Sequence, residues 1–154
     1  MDICELLPLV VARWDQLGVR EPGVGQGVLA RLPVWSRYTI PPDLGSLLAL
    51  ANGMGKGSTD DLMIRFWPAE ELRSVHEELP DAAWDPHADF LVFADYSIWA
   101  HAYAIQVGAT SAAGTVVIVG GAEPISVASS FAEFLARYLF EPDSLFGGEQ
   151  VGPP

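Results

Sequence analysis

The residues able to do chemistry in this chain fall into a few patterns whose spacing can be tested directly. The run Gly53-Met54-Gly55-Lys56-Gly57-Ser58-Thr59 is built like a phosphate loop. That chemistry needs a lysine followed directly by Ser or Thr, on a loop between a strand and a helix. Here Gly57 intervenes, and the run follows a helical pattern instead of opening one. It reads as a helix stop and a mobile connector. Gly23-Val24-Gly25-Gln26-Gly27 lacks the third glycine of a dinucleotide fingerprint, and Gly120-Gly121 is a simple turn.

Metal and nucleophile chemistry fare no better. Asp85, His87 and Asp89, with His76 one helix away, offer carboxylates and imidazoles that a divalent metal could use. In a proline-containing acidic turn they read as solvated side chains. Asp95, Ser97 and His101 have the membership of a catalytic triad. On an extended strand, however, Ser97 and His101 lie roughly 13 Å apart, and no glycine elbow frames the serine. Cys4 reads as a buried small hydrophobe, and Glu70-Glu71 and Glu77-Glu78 as a solvated helix face. The sequence assigns no catalytic, cofactor-binding or metal-binding residue, and a non-enzymatic protein is expected.

What stands out is surface type. Twenty acidic residues face eight basic ones, a net charge of −12, and Lys56 is the only lysine. Such a surface repels phosphate backbones and anionic lipid and attracts basic partners, which argues against nucleic-acid binding. Five tryptophans and four tyrosines accompany the acids, with Trp35, Trp67, Trp84, Tyr96 and Trp99 at expected turns or outward strand positions. Aromatic anchors with a charged rim are a protein-binding composition.

The elements that must position these side chains can be read from periodicity. Ile3, Leu7, Val10, Trp14 and Leu17 form a helical stripe, with Asp2 and Glu5 as a capping box, Pro8 as a disturbance and Gly18 as the stop. Residues 19–33 read as loop or weak strand. Pro41 and Pro42 open a second helix with Leu44, Leu47, Leu48 and Ala51 on one face, closed by Asn52-Gly53. Leu62–Trp67 alternates as a strand, and Pro68 begins a helix through Leu79 with Leu72, Val75 and Leu79 facing inward. After an acidic loop, 80–89, come strands at Phe90–Phe93, Ile98–Val107 and Thr115–Val119, with Asp95-Tyr96-Ser97 as a turn between the first two. Ser126–Tyr138 reads as the last helix, and a frayed tail follows Glu141.

Short turns between consecutive strands imply an antiparallel meander. The expected fold is α+β: a mainly antiparallel sheet of about four to six strands with helices packed around it. Residues 1–140 form one domain in this reading and 141–154 a C-terminal tail. The N-terminus has two acids and no basic residue before its apolar run, so it fits neither a signal peptide nor the ~18 apolar residues of a membrane span. A soluble cytoplasmic protein is expected, and a single cysteine offers no internal disulfide.

Several segments, in order, resemble the SUKH superfamily, which joins fungal cell-wall-assembly regulators to bacterial toxin-immunity proteins. They are IPPDLGSLLALANG, FWPAEEL, FLVFADYS, and GTVVIVGG leading to ASSFAEFLARYL, spanning about residues 38–139. The turn Asp95-Tyr96-Ser97 departs from the pattern, since members often carry more glycine there. The resemblance implies a non-enzymatic binding domain without a cofactor, and for a bacterial member an immunity protein that occludes a cognate polymorphic toxin, often one with a basic groove. The alternative is a regulatory or scaffold module that binds a cellular protein; a metal-dependent hydrolase is a third class. No contact residue transfers by motif. Expected exposure nominates Asp60, Asp61, Trp67, Asp85, Asp95, Tyr96 and Trp99 as partner-binding residues.

Overall fold

A computed structural model describes residues 1–80, 89–108 and 114–151. The architecture is α+β, with a six-stranded antiparallel sheet, a separate two-stranded sheet and helices packed around them. Among the described residues no helix is long and apolar enough to cross a membrane. Asp85 and the neighbouring Trp84 and His87 lie outside the described residues.

The N-terminal helix α1 (Ile3–Leu17) forms as its sequence dictates. The Asp2–Glu5 capping box satisfies orphan N–H groups, and Gly18 closes the helix in the left-handed conformation at φ 69°. Pro8 is accommodated inside it, and Cys4, expected to be buried, is exposed because the inward stripe is Leu6, Leu7, Val10 and Trp14. Strand β1 (Arg20–Pro22) follows, then short helices α2 (Gln26–Leu29) and α3 (Pro33–Arg37). Helix α4 (Pro42–Leu50) buries Leu44, Leu47 and Leu48. It ends before Asn52-Gly53, because Ala51 is already extended and Ala51–Met54 is strand β2, paired with β1. The helix stop expected at Asn52-Gly53 is therefore corrected. Gly53 does take a left-handed φ of 66°, but for close packing within a strand: a Cβ there would stand 2.6 Å from the Trp67 carbonyl carbon.

The large sheet runs β3 (Ile64–Phe66), β5 (Phe90–Tyr96), β6 (His101–Gln106), β7 (Val116–Val119), β8 (Ile125–Ala128). One edge of β5 is shared by two short strands. β3 pairs with its second half, and β4 (Arg73–Ser74) with Leu91 and Val92. The single helix expected from Pro68 is thus broken into a 3-10 turn (Ala69–Glu71), β4 and helix α5 (Val75–Glu78). Ser74 restarts the helix through a capping box with Glu77. The last helix, α6 (Phe131–Phe140), likewise starts at its cap, Ser130, four residues later than periodicity implied. Residues 125–128 join the sheet as β8 instead.

Helix α6 lies over one face of the sheet. Phe66 is the hub, with Trp14 at 4.9 Å, Tyr138 at 5.0 Å, and Phe93 and Phe134 at 6.0 and 6.1 Å between ring centroids. Phe93 sits at a register shift between β5 and β6, and its ring turns into this cluster. The segment after Glu141, expected to fray, instead forms a 3-10 helix (Pro142–Val151). Leu145 is fully buried there, its carbonyl accepts from the Tyr103 hydroxyl at 3.0 Å, and Phe146 packs on Tyr96. Apolar burial outweighs the absence of helical periodicity in this segment.

Candidate functional site

The connector and the β5–β6 turn meet on the sheet face turned away from Tyr96 and its ring neighbours. Strand alternation decides which side chains gather there. Arg65 stands directly across from Asp95, and Asp95 across from Ala102. The next residue, Tyr96, pairs with His101 on the other face, where its ring stacks at 4.9 Å on His101 and meets Phe146 at 4.9 Å. Asp95 and Tyr96 therefore face opposite sides of the sheet, and Tyr96 lies outside the cleft built around Asp95. The same alternation separates Asp95 from His101, so the triad-like set does not converge.

Asp95 is the floor of the site. It is 8% exposed, accepts from the Trp67 indole at 2.6 Å, and takes the Trp99 backbone N–H at 3.3 Å. Trp67 is buried by this pairing and is corrected from surface anchor to internal support. Beside it, Arg65 holds the first residues of the connector. Its guanidinium donates to the carbonyls of Met54 and Gly55 at 3.1 Å and grips Glu71 with two bonds of 3.0 Å. Such a bidentate pair fixes geometry as well as charge. The Trp99 indole donates to Glu78 at 3.1 Å, and Glu78 also pairs with Arg73 at 2.7 Å.

Asp60 is likewise corrected. It is 5% exposed, its Oδ1 accepts from the N–H groups of Leu62 and Ile64 at 2.8 and 2.9 Å, and its Oδ2 receives the Tyr138 hydroxyl. Tyr138 in turn accepts from the Trp14 indole at 3.0 Å and from Arg13 at 3.3 Å. Burial, reinforced by the neighbouring Asp60 charge, pushes the Tyr138 phenol well above its ordinary value. Burial opposes the charge on Arg13, but the Tyr138 bond and the carboxylates of Asp61 and Asp60 hold its guanidinium above its ordinary value. Asp60 therefore pins the connector to α6, and the mobile connector expected here is instead held at both ends. Asp61 is exposed and forms an ion pair with Arg13 of α1.

The turn itself is the unforeseen part. Ser97, Ile98 and Trp99 all have left-handed backbones, at φ 50°, 55° and 65°, closed by a 2.8 Å bond from the Ala100 N–H to the Tyr96 carbonyl. Each such residue costs roughly 1–2 kcal/mol, and a β-branched residue is an outlier there. Met63, also left-handed at φ 65°, accepts the Ser97 N–H through its carbonyl at 2.9 Å. The result presents Ile98 at 86% exposure, with exposed Met63 beside it. Between turn and connector lies a cleft of about 360 Å³ lined by Gly57, Ser58, Thr59, Met63, Arg65, Asp95, Ile98 and Trp99. Other hollows, of about 310 and 390 Å³, are lined mainly by charged and hydroxyl-bearing side chains.

Of the nominated residues, the structure brings Trp67, Asp95 and Trp99 together, with Trp99 alone of these on the rim. Met63, Arg65, Glu71, Glu78 and Ile98 were missed. Arginine and glutamate at these positions read as ordinary surface charge, and no local pattern announces three left-handed residues without glycine. Compared with models of known protein families the chain matches none, and no curated protein is significantly similar to it in sequence.

Proposed function

We propose that the protein is an immunity protein that binds a cognate toxin and occludes its active surface, using the face that carries the β5–β6 turn. The observation that carries this reading is Ile98, an aliphatic side chain held out at 86% exposure by a backbone that is costly to maintain. Strain at a defined site motivates a functional hypothesis, because the surrounding structure must over-determine it. An exposed apolar side chain at the lip of a cleft is a fitting anchor for a binding hot spot.

The charge distribution supports the same reading. Six arginines are already paired with carboxylates of the chain itself, so the acidic excess forms the long-range field. That field speeds encounter with a basic groove, while the apolar lip slows dissociation. The resemblance of the chain to toxin-immunity proteins supplies the partner class.

The test is capture of the toxin encoded beside this gene by the purified protein. Binding is expected, with association falling steeply as salt rises, and Ile98→Asp should weaken it by about thirtyfold or more, the scale of a hot spot. Absence of a toxin gene in the neighbourhood, or binding that ignores both salt and Ile98→Asp, would overturn the proposal.

A further inference from the structure

Asp95 carries an inference that rests on the reading above and sharpens it. A carboxylate can accept about four hydrogen bonds. Asp95 receives one at 2.6 Å from the Trp67 indole and a longer one at 3.3 Å from the Trp99 N–H. The cations nearest in the network are already engaged, Arg65 with Glu71 and Arg73 with Glu78. Among the described residues Asp95 forms no ion pair, although it is 8% exposed. A buried charge without a counter-charge is unfavourable and gains from one that arrives. Above it, the Trp99 side chain and the apolar chains of Met63 and Ile98 line the opening with Ser58, Thr59 and Arg65, whose guanidinium is held by Glu71 and the Met54 and Gly55 carbonyls.

We infer that this cleft is a socket for an arginine side chain of the bound protein, which pairs with Asp95 and lays its methylene stem against Met63 and Ile98. Arginine fits better than lysine because its planar guanidinium both stacks on an indole and donates in several directions at once. Lysine offers a strongly hydrated point charge that would keep its water at an apolar lip. The socket thus converts a general acidic attraction into a contact at one position. It makes Asp95 and Trp99 determinants of which partner is accepted.

The probe is ethylguanidinium, titrated at millimolar concentration into the isotope-labelled protein while backbone and indole N–H resonances are followed. Saturable shifts confined to Met63, Ser97–Trp99 and the Trp99 indole are expected. Ethylurea, a neutral analogue of the same shape, should leave them in place, and Asp95→Asn should abolish the response. Because the wild-type protein with the two probes already discriminates, the test holds even where Asp95→Asn folds poorly. Equal shifts with ethylurea, or non-saturating guanidinium shifts spread over the acidic surface, would overturn the socket. With the toxin in hand, one toxin arginine should lose at least tenfold affinity on replacement by methionine and show no further loss in combination with Asp95→Asn. A toxin that binds tightly with no arginine coupled to Asp95 would refute the socket and leave the immunity reading standing. A socket that takes the probe in a protein that binds no toxin would do the reverse.

Discussion

Replacing Ile98 by glycine should make the protein more stable and less able to bind. The backbone at Ile98, φ 55°, imposes a penalty of roughly 1–2 kcal/mol on an L-residue, at the upper end for a β-branched one. Glycine escapes that penalty but gives up roughly 0.5–1 kcal/mol more chain entropy on folding. Little apolar burial is lost, since the side chain is 86% exposed. The balance is a gain of about 1 kcal/mol, or ~2–4 °C in melting temperature for a chain of this length. Urea unfolding and thermal melts of the two proteins measure it directly. Binding to the partner should fall by about tenfold or more, because an anchor is removed. A glycine variant less stable than the parent would show that Ile98 is packed or its backbone relaxed, and the argument from strain would fail. A variant that is both more stable and fully competent to bind would leave the strain real and remove its purpose.

Two further perturbations probe the support of the site. Tyr138→Phe deletes the hydroxyl shared by Trp14, Arg13 and Asp60, and denaturant unfolding should show a loss of about 2–3 kcal/mol. The same tyrosine sets an alkaline limit. Above about pH 10 the unfolded chain ionises it while the native protein retains the proton, so stability falls by ~1.4 kcal/mol per pH unit, a slope that Tyr138→Phe should remove. Gly53→Ala combines a left-handed φ with a 2.6 Å clash against the Trp67 backbone, and should cost more than about 3 kcal/mol or abolish the cooperative transition seen by circular dichroism.

The parts of the fold legible in sequence are those governed by local signals. The apolar stripe of α4 and the Asp2–Glu5 cap read correctly because partners three or four residues apart decide them. The same capping pattern recurs at Ser74–Glu77, and Ser130 caps α6 through the Glu133 N–H. Read there, it would have placed both helix starts and freed residues 125–128 for the sheet. The candidate site was harder, because long-range partners decide it. Asp60 looks like a surface acid until Tyr138, 78 residues away, is folded against it. Asp95 and Tyr96 look alike as turn residues until β5 is seen to run through both, which sends them to opposite faces. Ile98 offers no signal, since left-handed turns are normally announced by glycine or asparagine.

The divided edge of the large sheet bears on a different hazard. A chain that is 50% hydrophobic and made of short strands invites sheet-to-sheet association between copies. Here β3 offers three residues and β4 two, with Pro68–Leu72 leaving the strand path between them. Along this edge an incoming strand finds no uninterrupted row of N–H and C=O groups long enough to template on, and charged Arg65 and Arg73 mark both fragments. The loop between β3 and β4 thereby guards against fibre growth. The same segment buries Trp67, Ala69 and Leu72 in the core, so the edge cannot be straightened by deleting it without opening the core as well.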